Sequence, residues 1–368
     1  MKTYRSMKTV LVIVSTTLAL SFLSVFAFGA ELPEQASNHA NPRIQEVMSV
    51  QEAVTPDLMS MPDVLGTAVG QDDNGELTIL VYLNLEGKNP AASARNIPRS
   101  LRGKGITVEF TDPFRALRGK PGGGGVSHAA MQTPPIQLGT SGSWGYDLAN
   151  GYCCGGTLGS LVQISGTQYI LSNYHVFESD IVDGGNDIIA QTGNPIIQPG
   201  LIDVRCNVGN AQEVATLVKS SSLPDSNVDA SIAQVVSGMV QTDGSILEIG
   251  TISSQTVDTF IKQAVKKSGR TTGLTRSTIS GLNATVSVAY DNECAGGAAF
   301  TKTFTGQIII SNRGSKFIAG GDSGSLMVED VAANPRAVGL LFAGSSSLAV
   351  ANPIDEVLGF LGATMVGK

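Results

Sequence analysis

The chain has 368 residues, 15% charged and 42% hydrophobic, with 43 glycines and a formal net charge of −7. An average soluble domain is roughly 25% charged, and a chain this apolar is not intrinsically disordered. Its acidic balance is the wrong sign for nucleic acid, all the more so because the first 29 residues hold Lys2, Arg5 and Lys8 and no acid. Three histidines and four cysteines leave little material for a His-rich metal centre, and no cofactor motif or phosphate-binding loop stands out.

Residues 1–29 read as a signal peptide. The three bases precede an apolar run from Thr9 to Phe28, and Ala27-Phe28-Gly29 offers small residues for cleavage. The run is also long enough to span a bilayer, so the alternative is an uncleaved anchor with the rest facing outside. Both readings predict a secreted or periplasmic chain that meets a membrane only through that anchor. In such an oxidising compartment Cys153, Cys154, Cys206 and Cys294 are disulfide candidates. Adjacent cysteines rarely bridge each other, so one or both of Cys153 and Cys154 is expected to reach Cys206 or Cys294; the pairing stays open.

Residues 43–118 read as a small α+β unit. Ile44, Val47, Met48, Val54 and Leu58 recur at helical spacing, with Pro56 expected to break the pattern. Strands are predicted at Val64–Gly70 and Leu77–Asn84, joined by Asp72-Asp73-Asn74-Gly75, whose Asn-Gly suits a tight hairpin. A helix over Ala91–Arg102 and a strand over Ile106–Thr111 complete an αββαβ order with no cysteine or histidine. Residues 119–135 form a linker by composition, with four consecutive glycines from Gly122 to Gly125. His39 and His128 are assigned to a flexible tail and to this linker.

From residue 136 to 368 short apolar, β-branched runs alternate with Gly, Ser, Asn and Asp clusters: 157–164, 169–172, 230–236, 307–311 and 337–343. That texture predicts a mainly β barrel or sandwich. At the end, Asn352 as cap, Pro353 at the first helical position and Asp355 and Glu356 in the first turn predict a helix docked on the β core.

Three elements carry candidate chemistry. His175 follows an apolar strand, where an imidazole can serve as a base near neutral pH. Asp229 precedes another strand, where a buried carboxylate can fix the tautomer of a histidine and stabilise its imidazolium. Asp203 and Asp225 are the competing carboxylates, each less well placed against a strand. Gly320-Gly321-Asp322-Ser323-Gly324-Ser325 puts a hydroxyl on a sharp glycine-flanked turn with backbone N–H groups free to meet an oxyanion. Asp180, Asp183, Asn186 and Asp187 lack the spacing of a calcium loop and read as a solvated acidic loop, and Asn283-Ala284-Thr285 fits a glycan acceptor.

The chain order His175, Asp229, Ser323 is one of the known triad orders. With Gly321-Asp322-Ser323-Gly324 and the strands beside His175 and Asp229, residues 136–361 resemble the trypsin-like, chymotrypsin-fold serine proteases. Gly269-Arg270-Thr271-Thr272-Gly273 looks like the hairpin motif of bacterial members. The blocks 156–160, 339–345 and 351–354 look similar to the narrow-leaf branch of plant proteases and its bacterial relatives. The resemblance implies two six-stranded antiparallel β-barrels with the triad between them and an oxyanion hole from the N–H groups of Gly321 and Ser323. It implies a protein or peptide substrate cleaved through an acyl-enzyme, without a cofactor or metal.

Some positions depart from the family pattern. Val176 stands where many animal members have a cysteine. Phe317, six residues before the serine, replaces the Asp of trypsin-like pockets, so Phe317, Phe342, Ala343 and Gly344 predict a site for an apolar or small side chain. No Ile-Val-Gly-Gly N-terminus exists to pair with Asp322. The leading expectation is thus a secreted serine endopeptidase. The N-terminal unit is expected to be an inhibitory or folding-assisting pro-domain or a permanent accessory domain. The alternative function is a catalytically silent binding scaffold with the protease fold.

Overall fold

The computed structural model describes residues 39–116, 127–149, 152–178, 189–290, 300–312 and 316–368. The expected signal segment 1–29, the acidic residues of 180–187, Cys294 and the glycine run of the expected linker lie outside these residues. Strands of three or more residues are numbered β1–β17 and helices α1–α4.

The first barrel is built from β5 (Thr140–Trp144), β6 (Gly156–Leu158), β7 (Ser160–Ile164), β8 (Thr167–Ser172), β9 (Pro195–Gln198), β10 (Gln212–Val218) and β11 (Ser231–Val235). They pair in the order β7-β8-β11-β10-β9-β5-β6. β6 and β7 are two halves of one strand interrupted at Gly159, so six antiparallel strands close the ring. Period-two alternation buries both faces of these strands. Leu161, Ile170 and Ala233 point into the barrel core, whereas their neighbours Val162, Leu171 and Ile232 face the second barrel and the C-terminal helix.

The second barrel comprises β12 (Ala264–Gly269), β13 (Gly273–Tyr290), β14 (Phe300–Ser311), β15 (Leu326–Glu329), β16 (Ala337–Gly344) and β17 (Leu348–Pro353). Their order is β12-β15-β16-β17-β14-β13, and β13 returns to pair with β12. The expected pair of six-stranded barrels is therefore present. So is the C-terminal helix α4 (Ile354–Leu361), which packs Ile354 and Val357 into the seam between the barrels.

The N-terminal unit has the predicted order α1 (Pro42–Met59), β1 (Val64–Gln71), β2 (Leu77–Asn84), α2 (Pro90–Asn96) and β3 (Lys104–Thr111). Pro56 is accommodated in the last turn of α1 instead of breaking it. α2 is shorter than predicted because Ile97, the residue before Pro98, is extended. The unit shares a sheet with the second barrel: β1 pairs antiparallel with β13, from Gly66 opposite Val286 to Gly70 opposite Gly281. A Cβ on Gly66 would lie 2.6 Å from the Thr285 carbonyl oxygen, so this join requires glycine. A further strand, β4 (Phe114–Ala116), lies between β13 (parallel) and β16 (antiparallel).

Two linker expectations are corrected. Residues 127–135 are docked: the Ser141 N–H and the Thr140 hydroxyl donate to the His128 carbonyl at 2.8 and 2.6 Å. His128 itself is buried, its ring nitrogens 2.7 Å from the Gly139 carbonyl and 2.6 Å from the Glu248 carboxylate. Cys153 bridges Cys206 with a Cα–Cα distance of 5.5 Å, and Cys154 is also disulfide-bonded. Among the described residues no helix is long and apolar enough to cross a membrane.

Candidate active site

Strand register brings the histidine and the aspartate together. Ser172 at the end of β8 lies opposite Ser231 at the start of β11. The residues just beyond those ends, His175 and Asp229, are therefore neighbours. His175 sits in the single-turn helix α3 (Tyr174–Phe177), behind Asn173, whose side-chain amide donates to the Asp229 carbonyl at 2.7 Å. The His175 Nδ1–H donates to Asp229 Oδ2 at 2.6 Å, and the His175 backbone N–H reaches Oδ1 at 3.3 Å. Asp229 is fully buried. A buried carboxylate is stable as an anion only when donors surround it. Here the Tyr290 hydroxyl adds another, at 2.8 Å to Oδ2.

The serine loop enters from the second barrel, just ahead of β15. Gly321 and Gly324 adopt φ of +97° and +89°, a region L-residues rarely occupy. The loop is pressed onto the first barrel: the Thr157 N–H donates to the Ser323 carbonyl at 2.8 Å and its hydroxyl to the Gly321 carbonyl at 2.9 Å. A Cβ on Gly324 would lie 2.3 Å from both Ser172 Oγ and the Thr157 carbonyl oxygen. Ser323 is thereby held against the end of β8, three residues from His175. Its hydroxyl donates to the Phe342 carbonyl of β16 at 3.1 Å.

Asp322 has found its partner. Its carboxylate lies 3.4 Å from the Lys267 ammonium and accepts from the N–H groups of Ala319, Thr271 and Thr272 and from the Thr272 hydroxyl. Burial pulls Lys267 below the usual lysine range, while Asp322 draws it back up. The hairpin 269–273 thus braces the serine loop from within the chain. Of the competing carboxylates, Asp203 pairs with the Arg270 guanidinium and the Ser141 hydroxyl, and Asp225 is exposed.

The four predicted pocket residues are not all brought together. Phe342 and Ala343 share an apolar cluster with Phe114, Tyr290 and Leu348, whereas Phe317 packs in another with Val265, Met327 and Leu341. Gly344 ends β16, where β4 is docked: Arg115 lies opposite Gly344 and Ala116 opposite Ala343. Phe114 is wholly buried.

Several residues of the site escaped the sequence reading. Tyr290 carries no motif. Lys267 stands in a strand buried on both faces, which was a usable signal, since a buried ammonium calls for a carboxylate. Asn352, expected to cap α4, instead accepts the Asp229 N–H at 2.9 Å and donates to Gln307 at 2.6 Å; Pro353 occupies the cap position. Asn283 donates its amide to Gln51 and Glu52. Among the described residues no cluster of His, Cys, Asp and Glu has the makings of a metal site.

Residues 221–351 match the family model of the Nal1 C-terminal domain. No curated protein sequence matches the chain. Among solved structures the chain is similar to a glutamic acid-specific serine protease that uses a histidine triad in substrate binding. That likeness is at 20% identity and a TM-score of 0.41, over 62% of this chain and 100% of the other. Protease A of Thermobifida fusca is similar at 18% identity and a TM-score of 0.41, over 63% of this chain and 99% of its own. A Nocardiopsis protease is similar at 18% identity and a TM-score of 0.39, over 61% and 97% respectively.

Proposed function

We propose that the chain is an exported serine endopeptidase in which Ser323 is the nucleophile, His175 the general base and acid, and Asp229 the buried anion that orients His175. The observation that carries this reading is the hydrogen bond from His175 Nδ1 to the fully buried Asp229, beside a glycine-flanked serine loop. Asp229 holds the imidazole with Nδ1 protonated, which leaves Nε2 as the basic nitrogen. Ser323 turns from the Phe342 carbonyl toward that nitrogen, loses its proton to it and attacks the substrate carbonyl. The N–H groups of Gly321 and Ser323 are assigned to the oxyanion. His175 then returns the proton to the leaving amine, and water hydrolyses the acyl-enzyme by the same steps.

The substrate is read as an extended peptide that adds to the Phe342–Gly344 edge of β16, the strand whose backbone already touches the Ser323 hydroxyl. β4 occupies part of this edge, and the three catalytic residues are at most 2% exposed. The N-terminal unit is accordingly proposed to hold the site covered until β4 leaves. The paired cysteines fit an oxidising compartment, and hence export. Hydrolysis of a denatured protein by the uncovered chain, lost in Ser323→Ala, His175→Ala and Asp229→Asn, tests the reading. Turnover that survives Ser323→Ala overturns it. Absence of turnover in every form moves the assignment to a silent binding scaffold.

A further inference from the structure

We infer that Tyr290 is a positioning residue of the catalytic pair, acting through Asp229; the inference rests on the serine-endopeptidase reading. Tyr290 ends β13 and belongs to the second barrel, whereas His175 and Asp229 belong to the first. Its ring is fully buried and fixed on two sides. It stacks on Phe300, directly opposite on β14, with centroids 4.8 Å apart and planes 13° apart. It meets the His175 ring edge-on at 5.9 Å. A ring clamped this way delivers its hydroxyl to one point with little loss of entropy on binding.

That point is Asp229 Oδ2, 2.8 Å away, the same oxygen that accepts the His175 Nδ1–H at 2.6 Å. Two consequences follow. With Oδ2 fixed by Tyr290 and Oδ1 facing the His175 backbone N–H, the carboxylate has no freedom to rotate away from the imidazole. The phenolic O–H also takes up part of the charge on Oδ2, because hydrogen bonding to a charged form stabilises it. The field of Asp229 on the imidazole is weakened to that extent. Tyr290 thus ties the orientation and basicity of a first-barrel pair to a second-barrel strand, two residues beyond the point where Val288 pairs with Phe114 of β4.

Tyr290→Phe keeps the ring and its stacking and deletes only the hydroxyl. The first readout needs no turnover: the proton resonance of the His175 Nδ1–H in full-length Ser323→Ala protein, with and without Tyr290→Phe. Loss of the second donor from Oδ2 shifts that resonance. The second readout is the pH profile of peptide hydrolysis. Without the hydroxyl, Asp229 presents more negative charge to the imidazole and favours its protonated form. The acid limb of kcat/KM therefore moves to higher pH. At neutral pH kcat falls roughly tenfold with KM little changed, since the lost contact does not touch substrate. An unmoved resonance overturns the inference, and so does an unmoved acid limb in an active protein. If no form of the protein turns over substrate, the endopeptidase reading fails while the resonance still decides the role of Tyr290.

Discussion

Replacing Phe114 by alanine uncovers the site if β4 is what keeps it closed. The Phe114 ring is fully buried, meets Tyr82 edge-on at 5.8 Å, and shares its cluster with Phe342, Ala343 and Leu348. Truncating a buried Phe to Ala costs about 3–5 kcal/mol. These contacts exist only while β4 is docked, so the loss falls on the covered state. At about 3 kcal/mol the population of the uncovered state rises on the order of 100-fold, a tenfold change corresponding to about 1.4 kcal/mol. The assay is the rate at which a fluorophosphonate labels Ser323, with thermal unfolding followed in parallel. Phe110→Ala, the same change at a 37% exposed position on the neighbouring β3, is the control and leaves the labelling rate unaltered. Phe114→Ala protein that stays folded but labels no faster than the parent refutes the covering role of β4.

Two other substitutions probe how the serine loop is held. A Cβ at Gly159 would lie 2.0 Å from the Gly324 carbonyl oxygen, so Gly159→Ala pushes the loop off the first barrel. Overpacking of this kind costs about 1–3 kcal/mol. A lower Tm together with labelling slowed more than tenfold is expected, and unchanged labelling would show that the contact does not place Ser323. Lys267→Met leaves the Asp322 carboxylate buried without its cation, a loss of about 3–5 kcal/mol for a broken buried pair. Urea unfolding measures it. A loss below about 1 kcal/mol would mean that the N–H and hydroxyl donors around Asp322 suffice alone.

Much of this architecture is written locally. The apolar, β-branched runs 157–164 and 169–172, the Asn-Gly hairpin after β1 and the acidic first turn of α4 each specify an element through its own residues. The candidate residues His175, Asp229 and Ser323 stand out in the sequence for the same reason: each sits at the end of an apolar strand or on a glycine turn. What sequence could not supply is register between distant strands. Asn352 looked like a helix cap because Asn-Pro commonly starts a helix, yet its amide serves Asp229, more than a hundred residues away. Tyr290 reaches the side-chain carboxylate of Asp229 from the end of an 18-residue strand, and no spacing rule links the two. The αββαβ order of the N-terminal unit was foreseen, and β4, which follows it, was not. The unit's fusion to the second barrel depends on β13 being long enough to pair with β12 along 273–278 and with β1 along 281–286.

The most direct test of the account is intact-mass spectrometry of the full-length protein after reaction with a fluorophosphonate, with Phe114→Ala and Ser323→Ala alongside. One adduct is expected, slow to form on the parent, fast on Phe114→Ala and absent from Ser323→Ala. No adduct on either the parent or Phe114→Ala, or an adduct that persists in Ser323→Ala, would contradict it.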